Sequence, residues 1–155
     1  TFMVVGSFAV VTLAGGEGDG AHELDDYKGL ARRRPVLAFA LAAFLFAQAG
    51  VPFTTGFVAK LNVIFAAADG DQVWLAIVAM VAAVVAAYLY LRIVVSMFLA
   101  EETEEELSAE TPPIAVPAGA AIAIAVAFAV TIGFGIFPDV VDDLARDALP
   151  LVLAG

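Results

Sequence analysis

Ala49-Gly50-Val51-Pro52-Phe53-Thr54-Thr55-Gly56 lies midway along an apolar run from Val36 to about Ala68, and its reading decides the fold. A straight helix over the whole run would reach ~48 Å, against a hydrocarbon core of ~30 Å. Tilt absorbs only part of that excess. Pro52 has no N–H to give the carbonyl of Gln48, and its ring crowds the preceding turn. Gly50 and Gly56 loosen the backbone on either side. The run therefore reads as two half-helices joined by an unwound segment near residues 50–53. In lipid such a break is tolerable only where protein or a hydrated cavity covers the freed backbone groups. Interrupted helices of this kind line ion pathways in transporters.

Working outward, an uncharged run covers residues 1–15, a third spans 72–99 and a fourth spans 114–137. With 63% hydrophobic residues, the composition fits lipid better than water. The predicted fold is an all-α membrane protein with about four transmembrane helices, the second of them discontinuous. Apolar Val140, Val141, Leu144 and Leu149 alternate with Asp142, Asp143, Arg146 and Asp147, so 139–153 reads as a short amphipathic helix at the interface. The first run begins abruptly, without the basic segment and cleavage site of a signal peptide. The expectation is that the chain starts inside a helix and forms the C-terminal part of a longer membrane domain.

The net charge of −10 matters less than its placement. Every acidic residue falls in one of four clusters, Glu17 to Asp26, Asp69 with Asp71, Glu101 to Glu110, and Asp139 to Asp147, which read as solvated loops. The loop 17–35 also carries Lys28 and the run Arg32-Arg33-Arg34, four of the seven basic residues. Basic loops stay on the cytoplasmic side, so this one is expected there.

With no cysteine and the single histidine His22, the chain lacks the means for disulfides, thiolate-held zinc or an iron–sulfur cluster. It has no phosphate loop or dinucleotide fingerprint. No metal and no cofactor are expected to bind this chain.

Lys60 is the exception to the charge pattern: it stands well inside an apolar run, eight residues past Pro52. Burying an ammonium at mid-membrane costs ~2.5–3.5 kcal/mol on insertion scales, so such a lysine is a candidate functional group by default. Its amine can carry a proton reversibly when it is alternately desolvated and paired. Moving one proton against ~150 mV takes about 3.5 kcal/mol, within the range such an exchange of environment supplies. The competing reading has Lys60 snorkelling to the nearer interface.

Gln48, Thr54 and Thr55 flank the break, either ordering freed backbone groups or bonding locally to their own helix. Ala79, Ala83 and Ala87 form a small-residue stripe for close helix packing. Tyr88 and Arg92 share another face, where Arg92 reads either as an interfacial anchor or as a polar partner of Tyr88.

Taken together, Asp26-Tyr27-Lys28-Gly29-Leu30-Ala31-Arg32-Arg33, Ala49-Gly50-Val51-Pro52 with Gly56-Phe57-Val58-Ala59-Lys60, and Ala87-Tyr88-Leu89-Tyr90-Leu91-Arg92-Ile93-Val94-Val95 resemble the subunit N family of NADH-quinone oxidoreductase (respiratory complex I), one of the antiporter-like membrane subunits. The resemblance runs along essentially the whole chain. It implies the last four helices of fourteen, arranged in inverted repeats, with 36–68 as the discontinuous helix of the second repeat. It also implies that Lys60 belongs to a hydrophilic axis and helps move protons. Quinone and the redox centres would then lie in partner subunits, and the partners would be other membrane subunits and the bilayer of a prokaryotic cell membrane, with no nucleic acid. Two positions depart from the family pattern: Phe53 stands where a second proline is common, and Gln48 where a small residue is common. A subunit of a multi-subunit sodium/proton antiporter and a purely structural membrane scaffold are the competing readings.

Overall fold

A computed structural model of the 155-residue chain describes residues 1–15, 24–99, 116–138 and 140. All regular structure among them is helical. In chain order it comprises α1 (Phe2–Gly15), a 3-10 turn (Leu24–Tyr27), the single turn α2 (Leu30–Arg33), α3 (Pro35–Ala49), α4 (Thr55–Asp69), α5 (Val73–Leu99) and α6 (Ala118–Ile136). The acidic run 101–110, His22 and, apart from Val140, the expected amphipathic tail 139–153 lie outside the described residues.

α5 and α6, with 27 and 19 residues, are long and apolar enough to cross a membrane. α1 and α3 are shorter apolar helices. Pro35 opens α3 from the first turn, where its missing N–H costs nothing. α6 starts later than the apolar run does. Pro117 sits just outside it at φ −58° and ψ 140°, an extended conformation, so the helix begins at Ala118 rather than near residue 114.

α3 is the centre of the bundle, packed against α1, α4, α5 and α6. Leu37, Ala38, Leu41, Ala42, Phe44, Leu45 and Ala47 are all buried along it. Phe44 meets Phe128 of α6 edge-on with ring centroids 6.2 Å apart, a favoured aromatic geometry. α5 is the opposite case. Trp74, Val78, Val81, Val84 and Leu89 all face outward, and Val84 is 70% exposed. An apolar face of that extent suits lipid or further helices, not water.

Residues 24–34, ahead of α3, are more structured than a solvated connection. Leu30 is buried, and Tyr27 packs against the same apolar cluster. The 3-10 turn and α2 both rest on α5. The sequence signal for solvation came from the charges, but the apolar residues among them find a place on the bundle end.

Candidate functional site

α3 stops at Ala49 because the next residues close the helix. Gly50 adopts φ 88° and ψ 41°, the left-handed conformation that glycine takes without side-chain strain. Its N–H donates to the carbonyls of Phe46 and Ala47, and the N–H of Val51 donates to Phe46 at 3.0 Å. That is a Schellman closure, which satisfies two of the four terminal carbonyls. In a continuing helix, the carbonyls of Gln48 and Ala49 would be served by the N–H groups of residues 52 and 53. Pro52 has none, and Phe53 is turned away at φ 70°. This conformation is uncommon for a bulky residue and closed to proline, so the break differs in detail from a double-proline pattern.

The two remaining carbonyls receive Lys60. Its Nζ donates to the oxygen of Gln48 at 2.7 Å and to that of Ala49 at 2.9 Å. The lysine stands in the second turn of α4 and reaches back across the break to the end of α3. All four terminal carbonyls of α3 are thereby paired. A helix C-terminus carries a partial negative charge, so the ammonium also sits at the electrostatically favoured end. Hydrogen bonds to a charged group contribute roughly 1.5–3 kcal/mol each. Among the described residues Lys60 has no carboxylate partner; its charge rests on the backbone.

The break is covered by protein on one side only, while Val51, Pro52 and Phe53 stay exposed on the other. A Cβ on Gly56 would lie 1.8 Å from the carbonyl oxygen of Ala47, and one on Gly135 of α6 would lie 2.4 Å from Phe53 O and Thr54 Cα. α6 therefore approaches the unwound segment backbone to backbone. Thr54 is buried, and its Oγ1 donates to Val51 O at 2.7 Å, which braces the turn locally. Thr55 opens α4 and lines a separate cavity of about 360 Å3 with Met3, Asn62 and Phe134.

Gln48 has a second role. Its Nε2 donates to Ser7 Oγ at 3.1 Å, and Ser7 Oγ donates to Val4 O at 2.9 Å, so a polar link crosses from α3 into α1. Ser7 was not legible as a site residue, although it is one of only two hydroxyl residues within α1. Thr131 was also missed. It lies one turn before Gly135 on α6, is 1% exposed, and its Oγ1 has no hydrogen-bond partner among the described residues.

On its other side Lys60 lines a cavity of about 430 Å3 between α4 and α5, together with Ala59, Val63, Ile64, Ala79, Ala82, Ala83 and Ala86. Ala79 and Ala83 of the small-residue stripe thus leave a groove beside α4. Tyr88 is 65% exposed and Arg92 is exposed, and neither makes a hydrogen bond or ion pair among the described residues. The structure brings Lys60, Gln48 and Gly50 together, sets Thr54 in the turn between, and leaves Tyr88 and Arg92 on the outer face of α5. Among the described residues no group of three His, Cys, Asp or Glu gathers that could hold a metal.

The sequence model of the family described as NADH:quinone oxidoreductase/Mrp antiporter, TM (transmembrane), matches residues 1–101. The chain is similar to the NADH-quinone oxidoreductase subunit N of Acidothermus cellulolyticus, 44% identical over 153 residues that make up 97% of this chain and 28% of that protein. The subunit N of Chloroflexus aggregans is 39% identical over 151 residues, 97% of this chain and 29% of the relative. That of Mycobacterium bovis is 42% identical over 157 residues, 98% of this chain and 29% of the relative. The chain therefore spans less than a third of the length of these relatives.

Proposed function

The chain belongs to the NADH:quinone oxidoreductase/Mrp antiporter family of membrane-embedded proteins, and from that premise we propose that it forms the C-terminal part of a proton-translocating subunit of a quinone-reducing respiratory complex, with Lys60 as a proton relay. In this reading α1, the α3–α4 pair, α5 and α6 are four membrane crossings of a prokaryotic cell membrane, and the loop 17–35 faces the cytoplasm. Electron transfer, with its quinone and redox centres, takes place in partner subunits. This chain contributes the movement of protons.

The observation that carries the reading is the pair of hydrogen bonds from Lys60 Nζ to the carbonyls of Gln48 and Ala49, at the end of an interrupted helix. A lysine that merely snorkelled would spend its donors on water or headgroups. Here they complete the helix end, so the proton affinity of the amine depends on the shape of the break. The magnitudes agree: two charge-assisted bonds contribute roughly 3–6 kcal/mol together, and a proton moved against ~150 mV needs about 3.5 kcal/mol. A shift of the α3 end that weakens these bonds without breaking them lowers the proton affinity of the amine, and the reverse shift raises it.

Replacing Lys60 with Ala in the complete complex tests this proposal. Proton translocation per quinone reduced should fall. Unaltered translocation and quinone reduction would overturn the relay.

The family description also names Mrp antiporters, which favours one second reading, a subunit of a sodium/proton antiporter. Copurification decides between them. Redox subunits and quinone reduction support the first, and sodium-dependent proton exchange without them supports the second.

A further inference from the structure

We infer that Lys60 exchanges its proton on the α4–α5 side of the break, through the groove whose α5 wall is formed by Ala79, Ala82, Ala83 and Ala86. This rests on the relay reading of Lys60 and names the direction in which the relay works.

An ammonium has three N–H donors. Two are committed to Gln48 O and Ala49 O, at 2.7 and 2.9 Å. The third finds no acceptor among the described residues. The flank toward α3 is closed, because the Gly50 backbone lies so near that a Cβ there would come within 3.1 Å of Lys60 Cδ and 3.4 Å of Nζ. Among the described residues, the open space that Lys60 lines is the groove of about 430 Å3 between α4 and α5. A water occupies about 30 Å3 of liquid volume, so the groove has room for a short chain of waters anchored on the amine. Apart from Lys60 the groove is walled by Ala, Val and Ile, which offer a water no hydrogen bond, so waters there are held by the amine and by one another.

The exchange then balances without dismantling the helix end. The third N–H bond breaks, its electron pair stays on Nζ as the lone pair, and the proton passes to the oxygen of a water in the groove. The two remaining N–H bonds stay on Gln48 and Ala49, so their carbonyls are satisfied in both states. Uptake is the reverse. The carbonyl pair acts as a jig that aims the exchangeable position away from α3.

The test fills the groove in the complete complex. Ala83→Phe should abolish most proton translocation per quinone reduced, whereas Val84→Phe, one residue on and facing outward, should leave it unchanged. In a Lys60→Ala background Ala83→Phe should add no further loss, because both changes act on one proton. A packing defect would instead deepen the loss and overturn the inference. Full translocation in Ala83→Phe, with loss in Lys60→Ala, would overturn the direction and spare the relay; no loss in Lys60→Ala would overturn the relay itself. Should the phenylalanine variant not assemble, Ala79→Val and Ala83→Val carry the same test at smaller added volume. A graded fall supports the inference, and a flat response overturns it.

Discussion

Lys60 takes the place that Pro52 leaves vacant. The carbonyl of Gln48, which a residue with an N–H at position 52 would serve in a continuing helix, instead accepts from Lys60 Nζ at 2.7 Å. The interruption and the charge are therefore one structural unit, and separate substitutions can take it apart.

Lys60→Ala and Lys60→Arg should separate capping from proton transfer. Alanine leaves two carbonyls without their donor, at about 1–3 kcal/mol for each unsatisfied group. Arginine still donates but does not release its proton. The expected outcome is lower thermal stability for the alanine variant, recovered stability for arginine, and loss of translocation in both. Thermal inactivation and proton-uptake measurements on the assembled complex read the two effects.

Gly50→Ala should impair translocation without touching a charge. Its φ of 88° costs a side-chain-bearing residue about 1–2 kcal/mol, and the added Cβ would lie 3.1 Å from Lys60 Cδ. The methyl shifts the lysine stem by a few tenths of an ångström and strains its two hydrogen bonds, so translocation should fall further than thermal stability alone accounts for. A variant that loses stability but keeps its proton-to-quinone ratio would contradict this.

Two glycines of α6 should respond in opposite ways. Gly135→Ala drives a methyl to within 2.4 Å of the backbone of Phe53 and Thr54, and should cost more than the roughly 1–3 kcal/mol of ordinary overpacking. Gly119→Ala meets nothing within 4 Å and should be neutral or stabilising by about 0.5–1 kcal/mol. The amount of assembled subunit in detergent, followed through a thermal ramp, distinguishes them.

Ser7→Ala removes the acceptor of the Gln48 amide and should cost about 1 kcal/mol. A double-mutant cycle with Gln48→Ala should return a coupling of about 0.5–1 kcal/mol. Additive losses would mean that the polar link between α1 and α3 contributes nothing of its own.

Alkaline pH should loosen the end of the bundle that carries Tyr27. Burial first, and the neighbouring charge of Asp26 second, raise its phenol above the ordinary value of 10.0. For a raised value the sign is fixed. The contribution is intact below the ordinary value, then lost as pH climbs from it through the raised one, because the unfolded phenol ionises first. Tyr27→Phe should flatten that part of the pH–stability curve, measured by thermal unfolding between about pH 9 and 12.

Much of the candidate site was legible as residues but not as contacts. Pro52, Gly50 and Lys60 stand out in the sequence because proline, glycine and a charge are each out of place in an apolar run. Gln48 and Ala49 could not be assigned as the acceptors, since the contacts span 12 and 11 residues across an unwound segment. The course of that segment depends on the positive φ angles of Gly50 and Phe53. Tyr88 and Arg92 share a helix face by spacing, and spacing carries no information about which way that face turns. Ser7 and Gly135 escaped notice because each looks ordinary in its own helix and acquires its meaning from a helix far away in the chain.

What this sequence determined alone is local: helices throughout, an apolar character suited to lipid, and a termination near residue 50, because an imide nitrogen has no hydrogen to give whatever surrounds it. What the tertiary structure decided is the pairing: which donor reaches the orphaned carbonyls, which helix covers the unwound backbone, and which side of the lysine stays open. Those outcomes follow from how α1, α4, α5 and α6 pack around α3, and packing is settled by the shapes of several helices at once.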